Sequence, residues 1–475
     1  MNKIMYLCSQ KHITNKTKTI MKKFLNSILA LMLLASISIV PVSCTLDGSE
    51  DNPVVPSTEQ QGFFSDAINK LIDENFALVE KDGYAELIIP VSLYDRNIFT
   101  IAQEHKNAMD ALQAAGYVTY VNGGAVRDGI LGTPLHDVDF STDATPEQMV
   151  AISIPDAEVV KATTGGGEIA QAKHSSGEVT DMVPIRGISK DLVGKPTVPP
   201  DATVGTYSKR LLDDTYVRDL TINSIYYDYK TGDIIDYHGG LHDLREHVIR
   251  TVYDPNVMFP INSSALIRTV RFAARYGFDI DGNTSKAIQD HMHYCDNLST
   301  GLLNFYVMKG FTDGCGQRTY KYYFDNGILQ RYALMLKDYM EKKEYTDRLF
   351  PALDYFDEQH AGSISLAIAA LFLPCIEDNI GDIEPTQENI TALWDKLETE
   401  SKQKDHFEVD DFSGTKTETM TIWYLYKQMT ADATLTDAEK TAAIKSNSMY
   451  SHARLLLNGY AKTDSSLSKY TDYWK

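Results

Sequence analysis

The chain has 475 residues, 65 acidic against 45 basic side chains for a net charge of −20, and is 43% hydrophobic. That is enough chain for two or three domains with a sizeable core, and the apolar fraction excludes a disordered or low-complexity protein. Between residues 116 and 250 there are 20 acidic and 12 basic side chains, which excludes a broad basic face for non-specific nucleic-acid binding, so any contact with phosphates has to be local.

At the amino terminus Lys22 and Lys23 precede an apolar run over residues 24–40, and Pro41, Val42, Ser43 and Cys44 follow. A basic start, an apolar run and a small residue before a cysteine form the layout of a bacterial lipoprotein signal. Cys44 would be lipidated and become the first mature residue, and its lipid would tether the protein to a membrane, periplasmic or at the cell surface. Met21 is then the natural start of the signal, and a cytoplasmic location follows if the signal is not used. The alternative is a plain membrane anchor, but the 17 residues of the run fall short of the ~20 that a spanning helix needs. Residues 1–44 are therefore read as a signal and residues 45–62, acidic and rich in proline and serine, as a flexible linker. Cys295, Cys315 and Cys375 are too few and too scattered for a disulfide framework.

Residues 63–81 carry apolar side chains at helical spacing, with Phe64, Ile68, Leu71, Ile72 and Phe76 on one side. Residues 84–91 alternate as a strand, residues 98–115 form a second amphipathic helix that Gly116 stops, and residues 117–121 are a strand leading into Gly123 and Gly124. A further strand is expected over residues 137–141. Thr145 and Pro146 then open a helix as cap and first-turn residue. Residues 165–186 read as a hairpin whose second strand carries Val179, Asp181 and Val183 on one face. Beyond residue 283 the pattern is helical, with candidates at 302–308, 320–340, 364–373, 387–397, 417–429 and 437–457. His291, His293 and Cys295 invite a metal reading, but on one helix they point to different faces.

The stretch YVNGGAVRDGILGTPLHDVDFSTDA (residues 120–144) carries the chemistry. Glycine lets a backbone approach phosphates closely, and the Arg127 guanidinium has the fork geometry that fits a phosphate. Asp137 and Asp139 stand two apart, and on a strand they point to the same face. Two carboxylates held together repel unless a cation lies between them, and Mg²⁺ takes carboxylate and phosphate oxygens together. This is the pattern of a site for a metal-bound nucleoside triphosphate. On the residues alone Asp181 reads as an edge-strand charge, and Asp128 as a residue that orients Arg127 or caps the following helix.

GGAVRD followed by DVDF resembles the head domain of bacterial CCA-adding tRNA nucleotidyltransferases and their poly(A) polymerase relatives. RDLTINSIYYD (residues 218–228) resembles that family's RRDFTINALAYD segment, the run TGDIIDYHGGLHDLREHVIRTV (231–252) continues the match, and RTVRFAARYGF (268–278) resembles the helix that closes the nucleotide pocket. The resemblance implies an α+β nucleotidyltransferase head with a small mixed sheet over residues 63–250, including an N-terminal helical extension, a helical neck over 251–300 and a divergent all-helical body over 301–475. It implies transfer of a nucleotide from ATP or CTP to an RNA 3′ hydroxyl, with Mg²⁺ held by Asp137, Asp139 and Asp181. Asp181 is implied because it stands five residues before Arg186, as the family's third carboxylate does. Nucleotide contacts are implied for Gly123, Gly124, Arg127, Asp128, Arg218, Asp219, Asn223, Arg268 and Arg271. For Arg268 and Arg271 the alternative is a solvated face or a salt bridge in the neck.

The chain also departs from the family. Val217 replaces the first arginine of the RRD segment. Where the family reads the incoming base with E-D-x-x-R, this chain has Ile261, Asn262, Ser263, Ser264 and Ala265. An outward-facing lipoprotein would also meet little ATP. These departures support a second possibility, a surface lipoprotein that keeps the fold as a nucleotide- or partner-binding module without turnover.

Overall fold

The computed structural model describes residues 62–133, 135, 138–164, 167–401 and 414–475. The signal, Cys44, nearly all of the linker and Asp137 lie outside the described residues. Among the described residues no helix is long and apolar enough to cross a membrane.

The N-terminal extension is a helix, α1 (Asp66–Asp82), capped by the Ser65 side chain and closed by Gly83 in the left-handed region at φ 84°. The strand expected over 84–91 contracts to β1 (Leu87–Ile89), because Pro90 has no N–H to continue a ladder. Likewise α2 (Gln103–Ala114) starts later than the pattern suggested, since a 3₁₀ turn at Arg96–Ile98 precedes it and the Phe99 side chain is buried in the head core.

The head is built on one eight-stranded sheet in the order β1-β8-β7-β2-β3-β6-β5-β4. Its strands are β2 (Thr119–Asn122), β3 (Phe140–Thr142), β4 (Ala157–Thr164), β5 (Gly167–His174), β6 (Val179–Pro184), β7 (Ile225–Asp228) and β8 (Ile234–Asp236). β3 pairs with β6 in parallel and the other neighbours are antiparallel. The expected hairpin is β5–β6. β4 was not anticipated: it is an edge strand of mixed exposure, so its residues lack the apolar-to-polar contrast that marks a half-buried strand.

Alternation along the strands gives the sheet two different faces. Val121, Phe140, Met182 and Tyr227 point into the head core, with Ala108, Met109 and Leu112 of α2 and Val126 of the helix that follows β2. Asn122, Ser141, Asp181 and Tyr226 alternate onto the opposite face. That face is partly covered by the short helix α5 (Leu211–Thr215), whose Leu211 packs with Tyr226 and Ile235. Between β2 and β3 lies α3 (Gly124–Ile130), and α4 (Pro146–Val150) has the expected Thr145 cap, reinforced reciprocally by Gln148.

After β8 comes α6 (Gly240–Arg245). The neck is α7 (Pro255–Ile261) and α8 (Ser264–Tyr276), which ends at Gly277 with φ 67°. The helical body that follows packs around α14 (Ile364–Ile380), counted in chain order, which is apolar on nearly every side and buried almost throughout. Its carbonyls receive side-chain donors from other helices, among them Trp423 Nε1 to Ala369 O at 2.9 Å, Tyr460 OH to Ala370 O at 2.7 Å and Tyr345 OH to Leu371 O at 2.8 Å. The single helix expected over 320–340 is interrupted at Gly327, which takes φ 78°, and the one over 437–457 is split into Ala438–Lys445 and Tyr450–Tyr460. Cys295 is buried and donates to the Ser263 carbonyl, while His291 bonds Asn256 on the surface, so the two do not converge.

Gly240 marks a close approach that positions the site. A β-carbon there would lie 2.2 Å from the Thr221 carbonyl oxygen, and Thr221 opens the 3₁₀ turn Thr221–Asn223. Gly240→Ala should therefore displace that turn and lower stability by ~1–3 kcal/mol, the usual cost of overpacking, measured as a lower midpoint in urea.

Candidate functional site

Strand β2 ends at Asn122, and Gly123 turns the chain into α3 with φ 63° and ψ −126°, a conformation that needs glycine. Asp139 does not lie within a strand, as the sequence suggested, but immediately before β3. Its position is nonetheless fixed, because the Asn122 N–H donates to the Asp139 carbonyl at 3.2 Å. Phe140 is opposite Met182 in the parallel ladder. One residue earlier on each chain, Asp139 and Asp181 therefore stand side by side, on neighbouring backbones about 4.8 Å apart. Asp181 alternates onto the face opposite Met182, and Asp139 immediately precedes Phe140 on the neighbouring strand. Asp139 is exposed and Asp181 half-buried, with Gln171 Nε2 donating to Asp181 Oδ1 at 3.0 Å. This donor set is carboxylate oxygen, which suits a hard cation such as Mg²⁺. Among the described residues no cluster of three metal-ligating side chains occurs, and Asp137 is outside them.

Behind these carboxylates lies a buried polar floor. Asn122 Nδ2 donates to Ser141 Oγ at 2.8 Å. The side chain of Asp214 is 1% exposed. It accepts from Tyr226 OH at 2.8 Å, from Arg218 Nη2 at 2.9 Å and from the Arg186 backbone N–H at 2.9 Å. Burial, and next Asp214, push the Tyr226 pKa well above its ordinary value, so its phenol stays a donor. Arg218 reaches toward the glycine turn: its Nη1 lies 4.0 Å from where a β-carbon of Gly123 would be. Asp214, Tyr226 and Ser141 were missed in the sequence, since a second aspartate on a short helix and a strand tyrosine carry no spacing signal.

Arg127 is placed differently from the expectation. Rather than facing phosphates, its side chain is buried, with Nε and Nη2 on the two Asp128 oxygens at 2.9 and 3.1 Å and Nη1 on Asn223. Its guanidinium carbon lies 5.1 Å from the Phe272 ring centre and 4.9 Å from that of Tyr276. Asp128 has the orienting role expected as one of its alternatives, and its Oδ1 also accepts from Tyr276 OH at 2.9 Å. Asp219 holds Arg268 at 2.6 Å and Asn223 at 3.1 Å. Arg268, Phe272 and Tyr276 recur every four residues, so one stripe of α8 faces the head. Arg271 closes on Asp313 at 2.6 Å, the neck ion pair rather than a phosphate contact.

At the base-reading positions, Asn262 is exposed with its Oδ1 accepting from Ser264 Oγ at 2.7 Å. Ala265 is fully buried in the core of the helical part.

Residues 119–250, which hold the glycine turn, Asp139, Asp181 and the polar floor, match the family model described as "Poly A polymerase head domain". The resemblance to the CCA-adding enzyme and poly(A) polymerase family is real. In sequence the chain is 34% identical over 195 residues to a CCA-adding enzyme of Leuconostoc citreum, covering 40% of this chain and 46% of that protein. To the CCA-adding enzyme of Bacillus licheniformis it is 34% identical over 189 residues, covering 40% and 45%. The match thus spans less than half the length of these relatives. The fold is shared with the Bacillus stearothermophilus CCA-adding enzyme solved with CTP, at TM-score 0.55 and 21% identity over 78% of this chain and 80% of that one. It is also shared with the Thermotoga maritima CCA-adding enzyme complexed with tRNA, at TM-score 0.52 and 16% identity over 81% and 85%.

Burial alone would raise the pKa values of Asp128 and Asp219, but Arg127 and Arg268, together with Arg275 and the hydrogen bonds from Tyr276, Asn223 and the Leu220 N–H, outweigh it and hold both below the ordinary carboxylate value. A depressed carboxylate stabilises the fold above its unfolded pKa of about 3.9 and loses that contribution as pH falls further. Stability in urea should therefore be level near neutral pH and fall below about pH 4. Arg127→Met, which strands Asp128, should cost ~3–5 kcal/mol at pH 7 and should flatten the acid limb.

Proposed function

We propose that this protein is a Mg²⁺-dependent nucleotidyltransferase that joins a nucleotide from ATP or CTP to the 3′ hydroxyl of an RNA. The observation that carries the reading is the register of β3 against β6, which sets Asp139 beside Asp181 next to the Gly123 turn. Its support from relatives is that the matched proteins are called CCA-adding enzymes and that the matched region is the head domain.

Asp137, Asp139 and Asp181 would hold the cation, which when bound supplies Lewis-acid charge to the attacking and departing oxygens. In the transfer, a bond forms between the RNA 3′ oxygen and the α-phosphorus, and the bond from that phosphorus to pyrophosphate breaks. The hydroxyl proton departs toward a carboxylate, and Asp181 is the residue assigned to that side. Gly123 and Gly124 give the triphosphate room to approach backbone. Arg218, not the engaged Arg127, is the cation assigned to the charge that develops on the phosphates. Asp219, Asn223 and Arg268 frame the pocket by holding one another and Arg127.

The choice of base is weakened. Ala265 has no hydrogen-bonding side chain, and losing one good base-edge pair costs ~1–3 kcal/mol of discrimination. Ordered addition of C, C and A is therefore not assigned. The same loss motivates the second reading, a nucleotide-binding module without turnover, tethered through Cys44 at an outward-facing membrane surface.

The protein incubated with Mg²⁺, labelled triphosphates and short RNA should extend the RNA. Asp139→Ala or Asp181→Ala should lower the rate at least ~100-fold, the scale on which loss of transition-state charge stabilisation acts. Extension unaffected by both substitutions overturns the assignment. Mg²⁺-dependent triphosphate binding without extension selects the binding module. Rates with ATP and CTP should lie within roughly tenfold of each other, for want of the base-edge pair lost at Ala265.

A further inference from the structure

Asp214 lies on the same face of the sheet as Asp181 but has a different environment. Its Oδ2 receives Tyr226 OH at 2.8 Å, Arg218 Nη2 at 2.9 Å and Ser141 Oγ at 3.4 Å, while its Oδ1 receives the Arg186 N–H at 2.9 Å. Both oxygens are engaged and the side chain is 1% exposed. A carboxylate with its oxygens saturated in this way is a poor metal ligand, since each cation contact would have to displace a donor. Its four partners come from four separate places: strand β3, strand β7, the end of β6 and the segment after α5.

Only one of the four can swing. Arg218 has a long side chain with about 2 kcal/mol of rotamer entropy, yet here it is clamped. Asp214 is four residues before it and forms the ion pair, Ser141 Oγ is 3.3 Å from Nη2, and the Tyr226 ring centre is 5.8 Å from its guanidinium carbon. The Nε is buried without a hydrogen-bond partner, so the guanidinium is held by one end. The other end, Nη1, is left beside Gly123.

We propose that Asp214 is a positioning residue of the nucleotide site: with Tyr226 and Ser141 it fixes Arg218 so that Nη1 meets the polyphosphate of the nucleotide at the Gly123 turn. The inference rests on the reading of that turn as a triphosphate site. Asp214 touches neither nucleotide nor metal, and its effect passes through Arg218 alone. Tyr226 shares the load as a neutral donor to the same oxygen, so the carboxylate does not turn toward the cation site.

The test is a double-mutant cycle read by calorimetric titration of the full chain with Mg²⁺–ATP and, separately, AMP. Asp214→Asn keeps the shape and removes the charge, and should weaken ATP binding about tenfold, the scale of one charge-assisted hydrogen bond. AMP binding should change less than about twofold, because the phosphates that Nη1 meets are absent. Arg218→Gln should give a similar loss for ATP, and the double variant should be no weaker than Arg218→Gln alone. Tyr226→Phe should show a smaller loss in the same direction, also abolished by Arg218→Gln. If Asp214→Asn is folded by circular dichroism and binds ATP as the unaltered protein does, the inference is overturned. Equal losses in the presence and absence of Arg218, which mark a merely structural role, also overturn it. Should Asp214→Asn not fold, the Tyr226→Phe and Arg218→Gln cycle decides by the same criterion. If the unaltered protein binds no triphosphate, the nucleotide-site reading falls as well, an outcome distinct from failure of the variants alone.

Discussion

The buried guanidinium of Arg127 is the constraint on which the arrangement depends. It comes from the short helix after the glycine turn and ends between the Phe272 and Tyr276 rings of the neck helix. A charge taken out of water is stable only when its partners satisfy it, and here those partners belong to both parts of the molecule. Asp128 is local, Asn223 comes from the 3₁₀ turn, and Tyr276 completes the circuit through Asp128. The same turn continues through Asp219 to Arg268. Head and neck are therefore locked by polar groups with defined directions as well as by apolar packing, and directional groups fix orientation more narrowly than greasy contact does.

That lock separates two tasks which the sequence pattern had merged in one arginine. A side chain engaged in holding two parts together cannot also follow charge as it moves through a reaction. Arg218, partly exposed and tethered at one end, is the arginine proposed for the second task. The division explains why so many polar residues of the site bond to one another: much of the local charge is spent on shape.

Much of the fold was legible because its signals are local. The GG turn, the Thr145 cap and the β5–β6 hairpin each follow from neighbouring residues. Element ends were less legible where a single proline or glycine decides them, as at Pro90 and Gly327. In the candidate site, Asp139 and Asp181 were singled out from spacing and resemblance, and the orienting role of Asp128 was one of two expected for it. The fate of Arg127 was not legible, because it depends on Asn223, far along the chain, whereas the neck salt bridge of Arg271 was one of its two expected roles and only its partner, Asp313, was unforeseen. Asp214 was invisible for the same reason: its partners are assembled only by the sheet, and nothing in a linear string distinguishes a buried carboxylate from a solvated one.

The parallel pairing of β3 with β6 has a consequence for how this head tolerates change. The two carboxylates it aligns are separated along the chain by an entire excursion, α4 and the β4–β5 pair, that returns to the same ladder. Lengthening or trimming that excursion alters the outer margin of the sheet and leaves the alignment intact. A slip of one residue within the ladder, by contrast, would turn Asp181 into the apolar interior. Variation among distant versions of this protein should accordingly gather at the outer margin, around an unchanged centre.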